Sequence, residues 1–294
     1  MQFLVYILVY PLLWLLSIMP FKVLYIISDG VYLIIYHIVG YRKKVVVGNL
    51  NLVFPDKTEK EIKRITKAFY HHFCDLMIES IKSLTISEAE MKKRFSFTNV
   101  NEIRQHENNN RSVMLVCAHY GNFEWIFILQ KYVKSKGYGV YKQLANKYFD
   151  ALIKRKRAKY NSYLITTKET IPTLIKVKRN GELTINGFVA DQSPKFNKAV
   201  YWNTFMGIHV PMHVGPEMLA KKLDMAVVFF AVKKVKRGYY ETTFKTITTT
   251  PKDYKNYQIT DIYSKLVEDQ INEAPEYYFW THKRWKHAEK APNI

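Results

Sequence analysis

Residues 1–19 contain no charged side chain. After Pro20, Phe21 and Lys22 a second apolar run extends to residue 41, broken by Asp29 and closed by Arg42, Lys43 and Lys44. Runs of this kind approach the roughly 18 residues that mark a spanning helix. Pro11 and Pro20 argue against one straight span, because proline interrupts the helical hydrogen-bond ladder. A secretory signal would open on basic residues and end at a small-residue cleavage site, and Met1-Gln2-Phe3 lacks the basic opening. The pattern predicts one span or a pair of membrane-embedded helices, with Arg42-Lys43-Lys44 on the cytoplasmic side. A buried helical hairpin in a soluble core is the alternative.

Beyond residue 41 the periodicity changes. Thr58 and Glu61 form a capping box. It predicts a helix to about residue 84 with Ile62, Ile65, Phe69, Phe73, Leu76 and Ile81 on its inner face. Residues 102–111 are polar and Asn-rich and predict a loop. Residues 113–117 are a short continuous apolar run, as in a strand covered on both faces. Helix is expected over 122–136, strand over 138–141, basic helix over 148–160 and strand over 183–190. Helix 215–223, strands 225–234 and 239–247, and helix 259–272 complete the alternation. Strands alternating with helices predict an α/β fold around a mixed β-sheet. With no repeat or linker, residues 1–41 read as a membrane anchor and 42–294 as one catalytic domain.

Charge narrows the partners. Lys and Arg number 45 against 25 Asp and Glu, a formal net charge of +20. So large a surplus favours an anionic partner, whether acidic lipid, phosphorylated sugar, acidic carrier protein or nucleic acid. The 22 Tyr, 17 Phe and 5 Trp suit a boundary between water and lipid. Cys74 and Cys117 lie in apolar stretches and fit neither a disulfide framework nor a zinc site. His209 and His213 are separated by Pro211 and no acid or Cys completes a ligand set. No phosphate-binding Gly-rich loop is present, so neither metal nor nucleotide cofactor is expected.

The stretch Val116-Cys117-Ala118-His119-Tyr120-Gly121-Asn122-Phe123-Glu124-Trp125 carries the most specific chemistry. It places a histidine at the exit of a buried strand, where α/β sheets bind ligands, and an acid at the start of the next helix. With nine His and 25 acids, such a pair arises by chance about once, so position rather than spacing gives it weight. Glu124 bonded to one imidazole nitrogen would leave the other free to take a proton from a hydroxyl and would stabilise the imidazolium. That hydroxyl would then attack a thioester directly.

These residues resemble the His-x4-acid block of the lysophospholipid acyltransferase superfamily, in the form found in the late acyltransferases of lipid A biosynthesis. Further segments are similar in the same order. They are Arg42 with Asn49-Leu50 and Phe54-Pro55, Arg157 after Asn146–Asp150, and Ala190-Asp191-Gln192-Ser193-Pro194. Phe205-Met206-Gly207 with Pro211 follows, then Pro275 with Trp280–Lys286. The resemblance implies a glycerolipid acyltransferase-like fold, His119 as general base and Glu124 as its catalytic partner. It offers Arg157, Asp191, Gln192 and Asn122 as substrate-binding or site-supporting residues. It implies a membrane-bound enzyme with its catalytic domain facing the cytoplasm, at the bacterial inner membrane. The donor would be acyl carrier protein or acyl-CoA and the acceptor a glycolipid hydroxyl. Asn161 stands where relatives often have Gly, which Asn tolerates at positive φ, and Met206 replaces an aromatic residue.

Two alternatives stand beside this. The acceptor could be an aminolipid or a phosphatidylinositol-type glycolipid. Alternatively, a non-catalytic basic membrane protein could bind anionic partners through charge alone, with His119 and Glu124 dispensable. In the basic run Lys154-Arg155-Lys156-Arg157, the two lysines are expected on a solvated face.

Overall fold

The computed structural model describes residues 1–290. Helix α1 (Gln2–Ile18) runs unbroken through Pro11, and Pro20 caps α2 (Phe21–Leu33), which continues as a π-helical stretch over Ile34–Val39. Helix α3 (Lys43–Val53) leads to α4 (Glu59–Lys82), opened by the Thr58–Glu61 capping box with both of its bonds in place. After α5 (Glu88–Arg94) and β1 (Phe95–Phe97) comes α6 (Asn101–Asn108), where the sequence predicted a loop. Only Ile103 and His106 of α6 are buried. That is too narrow a face to register as a helical stripe.

The chain continues with β2 (Val113–Cys117) and a 3-10 helix over Phe123–Lys131. Then come β3 (Lys136–Tyr141), α7 (Lys147–Ala158), β4 (Ser162–Thr166), α8 (Thr170–Arg179) and β5 (Thr184–Val189). A hairpin of β6 (Trp202–Phe205) and β7 (Ile208–Pro211) precedes α9 (Gly215–Leu223). Strands β8 (Ala226–Lys236) and β9 (Tyr239–Thr248) and helix α10 (Gln258–Glu273) follow. Asn161 sits at φ +60°, as its place in a turn required. Met206 and Gly207, both at positive φ, form the two-residue turn of the hairpin, the geometry such turns demand.

Seven strands make one sheet in the order β1-β9-β8-β2-β5-β3-β4. Strands β8, β2, β5, β3 and β4 are parallel, while β9 runs antiparallel to β8. The fold is therefore α/β around a mixed sheet. Along β2, Met114 and Val116 face one core with α3, α4, α9 and α10. Val113, Leu115 and Cys117 face a second core containing Trp125 and Ile128. Two buried faces explain why this strand reads as continuously apolar rather than alternating.

The N-terminal helices divide their surfaces. Most of α1 is exposed, including Leu4, Leu8, Leu12 and Trp14. In α2 and its π-helical extension, Phe21, Leu24, Ser28, Tyr32 and Tyr36 are buried at helical spacing, while Val23, Ile26, Leu33, Ile34 and Ile38 are exposed. The 19-residue helix Phe21–Val39, with mean hydropathy 1.5, is long and apolar enough to cross a membrane. Polar bonds also join α2 to the rest of the fold. Ser28 Oγ donates to Asp75 Oδ1 on α4 at 2.8 Å, and Arg237, at the β8–β9 turn, bonds both Asp29 and Asp75 at 2.7 Å.

Candidate active site

Parallel pairing of β2 with β5 sets Cys117 beside Val189. Two residues beyond each partner, His119 and Asp191 leave the sheet side by side. His119 Nδ1 lies 2.7 Å from Asp191 Oδ1, and the Asp191 side chain is only 1% exposed. Burial raises a carboxyl's affinity for protons. Here the charge and hydrogen bond of His119 outweigh burial and hold Asp191 below the usual carboxylate range. The imidazole lies between Phe123 and Phe279, its side chain 24% exposed. Nε2 has no hydrogen-bond partner among the described residues. An Nδ1–H held by a carboxylate with Nε2 open is the tautomer a general base needs.

The pairing differs from the one the spacing suggested. No hydrogen bond joins His119 to Glu124. Instead Glu124 Oε1 accepts from Arg157 Nη2 at 3.1 Å, and Lys156 Nζ lies 3.5 Å from Oε2. The cause is local. The segment after Asn122 winds as a 3-10 helix, three residues per turn instead of 3.6, and presents Glu124 to α7. Burial would raise Glu124, but Lys156 and Arg157 together hold it below its ordinary value. One carboxylate against two cations leaves a net positive charge around Glu124. Lys156 is accordingly no solvated lysine: its side chain is 10% exposed, against 42% for Lys154.

The remaining candidates separate. Gln192 is partly exposed next to Asp191 and makes no side-chain hydrogen bond among the described residues. Asn122 turns away from the open site: it is 4% exposed, and its Nδ2 donates to the buried carboxylate of Glu79 at 2.7 Å. It ties the turn to α4.

The chain's terminal signature braces this turn. Phe279 N donates to His119 O and Gly121 N to Tyr277 O, each at 3.0 Å. Asn49 Nδ2 donates to the carbonyls of Trp280 and His282 at 2.9 Å, and Arg42 Nη1 to that of Thr281 at 2.8 Å. The Arg42 and Asn49 segment and the closing segment, far apart in sequence, thus form one clamp. Gly121 is required where it stands: at φ +53°, an added Cβ would lie 3.0 Å from Val232.

The profile of the bacterial lipid A biosynthesis acyltransferases matches residues 1–287. The chain belongs to that family. It is similar to a lipid A biosynthesis lauroyltransferase of Escherichia coli K12, at 24% identity over 93% of this chain and 89% of the relative. A palmitoleoyltransferase of lipid A biosynthesis from the same strain is 21% identical over 93% and 88%. A lipid A biosynthesis acyltransferase of Shigella flexneri matches to the same extent. As a member of this acyltransferase family the chain is an enzyme. The family's His-x4-acid block here supplies a histidine and an acid that serve different partners.

Sequence reasoning gave Asp191 only a supporting role and missed Glu79 and Lys156. The signal for Asp191 existed: two strands ending on short apolar runs, each followed two residues later by a titratable side chain. Only strand order shows that the runs are neighbours.

Proposed function

We propose that this enzyme transfers a fatty acyl group from a thioester, on acyl carrier protein or coenzyme A, to a hydroxyl of lipid A or a closely related phosphorylated glycolipid. The observation that carries the reading is the His119–Asp191 pair, with Nε2 open. In the proposed reaction Nε2 takes the acceptor's hydroxyl proton as the oxygen attacks the thioester carbonyl. The tetrahedral intermediate collapses, the C–S bond breaks, and the imidazolium returns the proton to sulfur. Asp191 stabilises the imidazolium between these events. Incubating purified protein with an acyl carrier protein thioester and under-acylated lipid A, followed by mass spectrometry, tests it. One added acyl group is expected, and no product from either donor would refute the assignment.

The positive surplus around Glu124 supports a role for Arg157 in holding a phosphate of the acceptor, since a guanidinium meets phosphate with two donors. Arg157→Ala is expected to raise the KM for acceptor about 10- to 100-fold, the worth of charge-assisted bonds. Arg157→Lys should fall between that and wild type. Lys154→Ala, on an exposed side chain, is the control. Equal kinetics for Arg157→Ala and Lys154→Ala would remove the phosphate role.

The exposed apolar faces of α1 and α2 support seating in a bilayer, with residues 1–41 as the anchor and residues 42–294 facing the cytoplasm at the inner membrane. The inner face of α2 stays on α4, so the two helices are proposed to lie partly embedded against the domain. Protein in carbonate-washed membranes is expected to remain in the pellet. Full release to the supernatant would overturn the anchor.

A further inference from the structure

The Glu79 carboxylate on α4 is fully buried and receives three hydrogen bonds from three different elements. Tyr25 on α2 donates to Oε1 at 2.8 Å, and Asn122 of the His119 turn and Tyr240 on β9 donate to Oε2 at 2.7 and 2.9 Å. We propose that Glu79 is a positioning residue that ties the catalytic turn to the membrane-facing helix α2, through Asn122 on one side and Tyr25 on the other. The inference rests on the reading of His119 as the base.

A carboxylate without water must take all its hydrogen bonds from protein groups, and leaving one unmade is costly. Its donors therefore hold one another in place, and chains of such bonds stiffen cooperatively. Glu79 stands raised to about 7 in all, with burial the largest influence and Asp75 acting the same way. Lys234 and the two phenol donors pull it back. The Tyr25 bond is thus among those that favour the ionised acid. Two more contacts run in parallel from the same end of α4: Trp125 Nε1 donates to Ser83 Oγ at 2.9 Å, and Ser80 Oγ lies 3.5 Å from Glu124. Trp125 also meets Phe21 of α2 edge-on at 6.5 Å, so among these groups the Glu79 carboxylate is the turn's hydrogen-bonded route to α2. An apolar helix that meets lipid on its outer face thereby bears on the placement of His119 and Glu124.

The test compares amide hydrogen exchange over residues 119–125 in wild type, Tyr25→Phe, Ser28→Ala and Glu79→Gln. Tyr25→Phe removes one oxygen from a partly buried ring and so spares the fold even if Glu79→Gln does not. Ser28→Ala loosens α2 at Asp75 without touching Glu79. Tyr25→Phe is expected to speed exchange over the turn about tenfold, with Ser28→Ala within about twofold of wild type. The kcat of Tyr25→Phe should fall about 5- to 20-fold with donor KM within about twofold, and the substitution should add nothing in an Asn122→Ala background. These scales follow from disturbing one hydrogen bond to a charged group. Unchanged exchange in Tyr25→Phe, equal effects of Ser28→Ala, or effects that multiply independently would each overturn the tie. Exchange needs no turnover, so a protein that fails to transfer acyl groups would refute the catalytic reading and leave the tie to be judged on exchange alone.

Discussion

His119→Ala and Asp191→Asn are each expected to lower kcat by about 10²–10⁴-fold, the usual worth of general-base catalysis. Asp191→Asn is the more informative. It keeps the shape of a side chain 1% exposed but removes the charge that balances the imidazolium. An amide can also offer its NH2 to Nδ1, turning the proton onto Nε2 and closing the base. Glu124→Gln should behave differently. Glu124 is bonded to Arg157 and Lys156, so its loss unbalances two cations and should act mainly through acceptor binding. Steady-state kinetics on the three variants, with melting curves to show that each is folded, separate the roles. A Glu124→Gln enzyme as inactive as Asp191→Asn, with unchanged acceptor KM, would restore Glu124 as the catalytic partner.

The largest loss of stability is expected at Asp75. Its side chain is 4% exposed and is bonded to Ser28, Lys234 and Arg237. Removing one partner of a buried ion pair leaves an uncompensated charge and costs about 3–5 kcal/mol. Asp75→Ala leaves the Lys234 side chain, 10% exposed, without its carboxylate. Arg237 retains Asp29 and is more exposed, so Lys234 carries most of the penalty. Thermal melting in detergent should fall by on the order of 10 °C. Asp75→Asn, which keeps the hydrogen-bonding shape, should lose less. A melting point within about two degrees of wild type for Asp75→Ala would show that the cluster relaxes into water at little cost.

Much of the fold was legible because its signals are local. The uniform apolar run 113–117 and the helix 215–223 match β2 and α9 residue for residue, and Thr58 with Glu61 announced α4. Helix α6 escaped notice because its buried face is two residues wide. Strand β4 and helix α8 lie in a stretch whose polar and apolar positions do not settle into either period. The site was half legible. His119 could be found from its place at a strand exit, whereas its partner depends on which strand lies beside β2, a property of the assembled sheet. The bond that Asn122 makes was hidden for a related reason: the acid that engages it lies 43 positions earlier, on α4.

On the proposed seating in a bilayer, the helix beginning at Phe21 answers to two surroundings at once, and its sequence is free to drift unequally around its circumference. Outward positions such as Val23, Ile26 and Ile38 ask only for oiliness, so one aliphatic residue can replace another. Inward positions such as Leu24, Ser28 and Tyr32 fit fixed neighbours and demand a particular shape and hydrogen-bonding capacity. Among related enzymes, variation along this segment therefore belongs on one stripe and constancy on the other. A hydropathy average, which treats both stripes alike, hides that distinction.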